Sequence, residues 1–192
     1  MTLETNTMPL AEAQPHMNGV NQGGAGPAAS DAPRISPRDA RQARMAHSFS
    51  NVLAVLMRDP SYRNVRLADL EWLVLPPVMA GQFKLGQAPA DPAPANPAAG
   101  GLLVPVAVAL WARVSDAVDQ VLTESTDNRL WLRPNEWASG SHIWLMTVAG
   151  DPRAVPTFLR ELAATEFSGQ VVKMRTHETD GKVVIKTLDS PG

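Results

Sequence analysis

The sequence predicts an α+β domain: one mixed, mainly antiparallel sheet flanked by helices. Three observations point there. Helical apolar periodicity opens the chain's ordered part and recurs between strands. Alternating or β-branched runs stand at 82–85, 102–111, 142–148, 171–174 and 183–185. The segments follow one another as α-α-β-β-α-β-α-β-β without an internal repeat. At 192 residues the chain has room for one core, placed here at 36–188, with flexible additions.

The first 35 residues are rich in Gly, Pro and Ala and carry no periodic apolar face, so burial cannot offset the entropy of ordering them, and a disordered tail is expected. Ser36-Pro37 then starts a helix, Ser36 as cap and Pro37 in the first turn. Met45, Phe49, Val52, Leu53 and Leu56 lie at offsets of 4, 7, 8 and 11 and form its buried face. Asp59-Pro60 stops this helix, 61–64 is a polar connector, and 67–73 is a short second helix that Pro76-Pro77 ends. The strands at 82–85 and 102–111 form a hairpin around a proline- and alanine-rich loop at 88–100, read as a solvated insertion. Ser115-Asp116 caps a helix to about Thr123, and 142–148 is the central strand. Asp151 caps a helix carrying Val155, Leu159 and Leu162 that Gly169 closes, and two last strands meet at Thr179-Asp180-Gly181.

Composition narrows the partners. A net charge of -2 gives no overall attraction for nucleic acid or an anionic membrane surface. No apolar run approaches the roughly 20 residues a membrane span needs. The absence of cysteine removes disulfides, thiolate nucleophiles and cysteine-based metal sites, and no metal site is expected. The amino-terminal stretch lacks the basic start and apolar run of a secretory signal, which predicts a cytoplasmic protein.

The stretch Asp59-Pro60-Ser61-Tyr62-Arg63-Asn64, with Val74-Leu75-Pro76 and Gly81-Gln82-Phe83 after it, resembles the opening block of the toxin-activating lysine acyltransferases. Pro105-Val106-Ala107 leading to Trp111 and Ser115, then Trp137-Ala138-Ser139-Gly140 followed by Trp144, and last Gly181-Lys182-Val183, resemble later blocks of that family in the same order. The resemblance implies an acetyltransferase-like (GNAT-like) fold with no bound cofactor. It implies a fatty acyl chain carried in on acyl carrier protein and passed to internal lysines of an RTX-type repeat toxin. Members deprotonate the lysine with a histidine beside the first loop and an aspartate on the central strand. Here those positions hold Tyr62 and Thr147. A phenol and an alcohol are poor bases near pH 7, and a positioned base supplies about 10²- to 10⁴-fold, so the alternative is a non-catalytic relative that binds carrier, partner or an active acyltransferase.

The resemblance makes Arg63, Asn64, Trp137, Ser139, Gly140 and Trp144 the candidate substrate-binding residues, and each has a plainer reading. Tyr62 is either a general acid for a leaving thiolate or a packing aromatic. Trp137 and Trp144 either line an acyl groove or fill the core, and Ser139-Gly140 either offers amides to an oxyanion or makes a tight turn. His142 stands five residues before Thr147, an odd separation that puts it on the opposite face of a regular strand. His47 and His177 read as solvated polar residues, and His16 lies in the tail. Arg34, Arg38, Arg41 and Arg44, extended by Arg58 and Arg63, make a stripe that suits an acidic carrier protein or is simply a solvated face. Homodimerisation is left open.

Overall fold

The computed structural model describes residues 36–90, 103–127, 130–179 and 181–188. The expected tail at 1–35 and the part of the proline-rich loop at 91–100 lie outside these residues. Ser36–Gly192 forms one compact unit.

Helix α1 spans Pro37–Leu56, with Ser36 Oγ accepting from Asp39 N at 3.1 Å. Its buried face is Val52, Val55 and Leu56, with Met45, Phe49 and Leu53 packed alongside, while Arg38, Arg41 and Arg44 are exposed. After a 3-10 turn at Pro60–Tyr62 and another at Leu67–Asp69 come α2 (Leu70–Leu73) and α3 (Leu75–Ala80). The prolines at 76 and 77 therefore open a helix instead of ending one. Their fixed φ and missing N–H suit a first turn, and the break falls at Val74, whose φ of -115° departs from helical geometry. Gly81, at φ 69°, closes α3.

Five strands follow: β1 (Phe83–Pro89), β2 (Leu103–Val114), β3 (His142–Gly150), β4 (Val172–His177) and β5 (Val183–Leu188). They lie in the order β1-β2-β3-β4-β5. All neighbours are antiparallel except β3 and β4, so the sheet is mixed, mainly antiparallel and GNAT-like, with β3 in the middle as expected. Ala88 and Pro89, assigned from sequence to the loop, instead pair with Val104 and Leu103. Pro89 is tolerated because β1 is an edge strand. Between β2 and β3 lies α4 (Asp116–Glu124), and between β3 and β4 lies α5 (Val155–Thr165). Asp151 does not cap α5. Its carboxylate accepts from Arg153 N at 2.8 Å in the preceding turn, and α5 starts without a side-chain cap.

Each sheet face has its own cover. Val108, Leu110, Ala112 and Val114 of β2 point toward α1 to α3 at one end and α4 with Leu132 and Trp137 at the other. Ala107, Ala109 and Trp111 point the opposite way, onto Phe158 and Leu162 of α5 and Phe167. No described helix is long and apolar enough to cross a membrane.

The two-residue rhythm of β3 breaks once. Leu110 pairs with Thr147 but Trp111 pairs with Leu145, so Met146 is an extra residue. As a result Trp144 and Ala149, five residues apart, pack on the same covered face. The odd separation of His142 and Thr147 therefore does not put them on opposite faces. The bulge cancels it, which corrects the sequence expectation.

Candidate functional site at the parting of β3 and β4

The parallel pairing of β3 and β4 has three rungs, Ile143–Val172, Trp144–Lys173 and Leu145–Met174, and ends where the bulge begins. Beyond it the strands frame a cavity of about 610 Å³, with Met146 and Thr147 on one side and His177, the last residue of β4, on another. Such a volume is ordinary for a small-ligand site.

Tyr62 reaches this cavity from the turn after α1. Asp59 fixes that turn: its carboxylate accepts from Ser61 N at 2.9 Å and from Gly150 N, at the end of β3, at 3.1 Å. Burial alone would raise the Asp59 carboxyl, but these amide bonds hold it below its ordinary value. Arg58 adds a second tie, donating to the carbonyls of Ala54 at 2.7 Å and Pro105 at 2.5 Å. So held, Tyr62 lines the cavity together with Thr147, whose side chain acts on the ionisation of the phenol. Burial pushes the phenol above its ordinary value, Thr147 opposes this in part, and the Asp59 charge adds to it. Tyr62 is therefore a neutral donor at pH 7. Thr147 itself is buried, at 4 % exposure.

Aromatic and aliphatic side chains make the remaining wall. Trp72 of α2 stacks on Trp131 with ring centres 4.3 Å apart and planes 9° from parallel. Trp131 is nevertheless 57 % exposed. Leu73, Leu130, Leu132 and Trp137 continue the apolar lining. The segment bearing Trp131 follows a loop held by Arg175 of β4, whose guanidinium donates to the carbonyls of Leu122 at 3.0 Å, Ser125 at 2.9 Å and Asp127 at 2.7 Å.

The other sequence candidates fall elsewhere. Trp144 is fully buried in the core, where its Nε1 donates to Asp119 at 2.7 Å. Burial would raise the Asp119 carboxyl, but the bonds from Lys173 and Trp144 and the charges of Lys173 and His142 hold it below its ordinary value. Trp137 does line the cavity, and its Nε1 is buried without a hydrogen-bond partner among the described residues. The amides of Ser139 and Gly140 are engaged by the Arg113 carbonyl, at 2.8 and 3.1 Å, and Ser139 Oγ accepts from Ser115 N at 3.0 Å. That geometry supports the tight turn. Arg63 and Asn64 are exposed and stand outside the cavity wall. His142 bonds Asp116 at 2.7 Å. It starts β3, five residues and roughly 16 Å of extended chain from Thr147, so length keeps it from the site.

Sequence reasoning missed Trp72, Trp131, Met146 and His177. The WL repeat in Trp72-Leu73 and Trp131-Leu132 was the available signal for the apolar wall. Nothing local marks His177. Among the described residues no group of three or more His, Asp or Glu could hold a metal ion.

Residues 101–189 match the RTX toxin acyltransferase family, a stretch that contains Thr147 and His177 but begins after Tyr62. No curated protein matches the chain.

Proposed function

We propose, from the match of residues 101–189 to the RTX toxin acyltransferase family, that the chain takes a fatty acyl chain from acyl carrier protein and passes it to a lysine of an RTX-type toxin. One observation carries the reading: the cavity combines apolar lining side chains with two hydroxyl groups, those of Tyr62 and Thr147. An acyl chain needs the first. A thioester undergoing attack needs the second, because negative charge develops on the carbonyl oxygen and then on sulfur. The Tyr62 phenol, kept protonated by burial, can donate to either. The cavity opens between β3 and β4, and the exposed Trp131 at its rim suits the entry of a chain tethered to a protein. The exposed Arg38, Arg41 and Arg44 of α1 offer an acidic carrier its charge complement.

The test is transfer itself. Purified protein, carrier loaded with a long acyl chain and an RTX-type toxin are combined, and toxin peptides are weighed for an acyl increment on lysine. An increment supports the reading. None, under conditions where an active member of the family labels the toxin, refutes it. A second reading has its own observation: Tyr62 and Thr147 occupy the positions where the resemblance expects a histidine and an aspartate, and neither is a base at pH 7. A relative that binds loaded carrier without turnover would show saturable carrier binding and no lysine label.

A further inference from the structure

Transfer to lysine requires that the nitrogen lose a proton, and a lysine amine has a reference pKa near 10.4. Tyr62 and Thr147 cannot take that proton, since one is a neutral phenol held protonated by burial and the other an alcohol. A base must come from another element.

Three described histidines are available. His47, on α1, bonds Asn51 at 2.9 Å, and His142 bonds Asp116 at 2.7 Å. His177 has no such bond among the described residues, and it lines the cavity that holds Tyr62 and Thr147. Its direction follows from β4. Lys173, Arg175 and His177 alternate onto one face. Lys173 binds Asp119 at 2.8 Å, Arg175 binds carbonyls in the last turn of α4 and just after it, and the third member of the row lines the cavity. Imidazole is also the side chain whose reference pKa, about 6.5, best matches proton transfer near neutral pH.

We propose that His177 is the base of the acyl transfer, supplied from the end of β4 to the cavity that Tyr62 and Thr147 also line. The proposal rests on the acyltransferase reading above. In the step, the lysine ammonium gives its first proton to solvent, and His177 accepts the second from the resulting amine as the nitrogen–carbon bond forms on the thioester carbonyl. The tetrahedral carbon then collapses, the carbon–sulfur bond breaks, and its electron pair leaves on sulfur. The imidazolium returns the same proton to that thiolate, with the Tyr62 phenol donating to the developing charge, so no co-reactant is consumed. The charged and titratable groups around His177 are Tyr62, with Asp59 behind it, Arg175 on its own strand, and Glu178 and Lys182 in the turn to β5.

The experiment compares wild type, His177→Gln and His177→Gln combined with Tyr62→His. Lysine label is followed from pH 5 to 8, together with binding of the loaded carrier. His177→Gln is expected to bind carrier as wild type does, to transfer about 10²-fold or more slowly, and to lose the acid limb of the pH–rate profile. The double variant, with imidazole restored at another position of the cavity lining, is expected to recover part of the rate. Equal rates and profiles for wild type and His177→Gln would overturn the proposal. If wild type itself labels no lysine, the acyltransferase reading is what fails. The placement of His177 is then judged by its imidazole NMR signals as a long-chain acyl pantetheine is added: a shift in parallel with Trp fluorescence supports it, and unchanged signals at saturation overturn it.

Discussion

Replacing Gly140 with alanine tests how the segment 137–140 is seated. A Cβ there would lie 2.6 Å from Ser115 Cα and 2.7 Å from Ser115 N, and would press on the Val114 carbonyl oxygen. All three are backbone atoms, so no side chain can swing away. The segment must move off β2, stretching the bonds from Ser139 N and Gly140 N to Arg113 O. Forced displacement costs about 1–3 kcal/mol and the loss of one such bond about 1 kcal/mol. Stiffening the unfolded chain offsets about 0.4–1 kcal/mol. The expected net loss is about 1–3 kcal/mol, which for a chain of this size lowers Tm by roughly 2–12 °C. Thermal unfolding followed by circular dichroism measures it. Because Trp137 rides on the segment, its near-ultraviolet signal should change as well. A Tm equal to or above that of wild type would refute the seating, since a glycine in open space gives a stabilising alanine variant.

Tyr62 is the single tyrosine of the chain, so its ionisation can be read alone by ultraviolet difference titration. The midpoint should lie above the ordinary value near 10, and Thr147→Val should move it higher by removing the hydroxyl that opposes the rise. With the folded value raised, the associated stability is present below the unfolded value and is lost as pH climbs toward the folded one. Asp119 behaves in the opposite sense. Its folded value is depressed, so its contribution is present above the unfolded value of about 3.8 and lost as pH falls through the folded one. Asp119→Asn should therefore cost about 1–3 kcal/mol at pH 7, and the gap to wild type in urea unfolding should close toward pH 3. Trp131→Ala should weaken binding of a long-chain acyl pantetheine about 2- to 10-fold through loss of the stacked pair, with a stability change under about 1.5 kcal/mol, measured by fluorescence titration.

Periodicity carried most of the fold into view. The apolar face of α1, the central place of β3 and the five strands follow from side chains that must be buried on a 3.6- or 2-residue repeat. Prolines misled where their position in a helix or sheet decides their effect: Pro76 and Pro77 start α3, and Pro89 extends an edge strand. Tyr62 and Thr147 stand far apart in sequence and were paired through the family resemblance, and in the structure both line one cavity. His177 was not legible, because its role depends on a bulge at Met146 that ends the pairing of β3 and β4 and opens the space the histidine faces. A single inserted residue in a strand leaves no compositional mark.

The central claim is that the acyl chain lies in the cavity between β3 and β4. Photo-crosslinking tests it most directly: acyl carrier protein is loaded with a long chain bearing a diazirine near its end, mixed with the protein, irradiated and digested. The account predicts crosslinks on Leu130, Trp131, Leu132 and Met146, reduced by excess unlabelled loaded carrier. Crosslinks concentrated instead on the apolar surface around Leu75 and Met79, or in the hollow beside Val55 and Pro152, would contradict it.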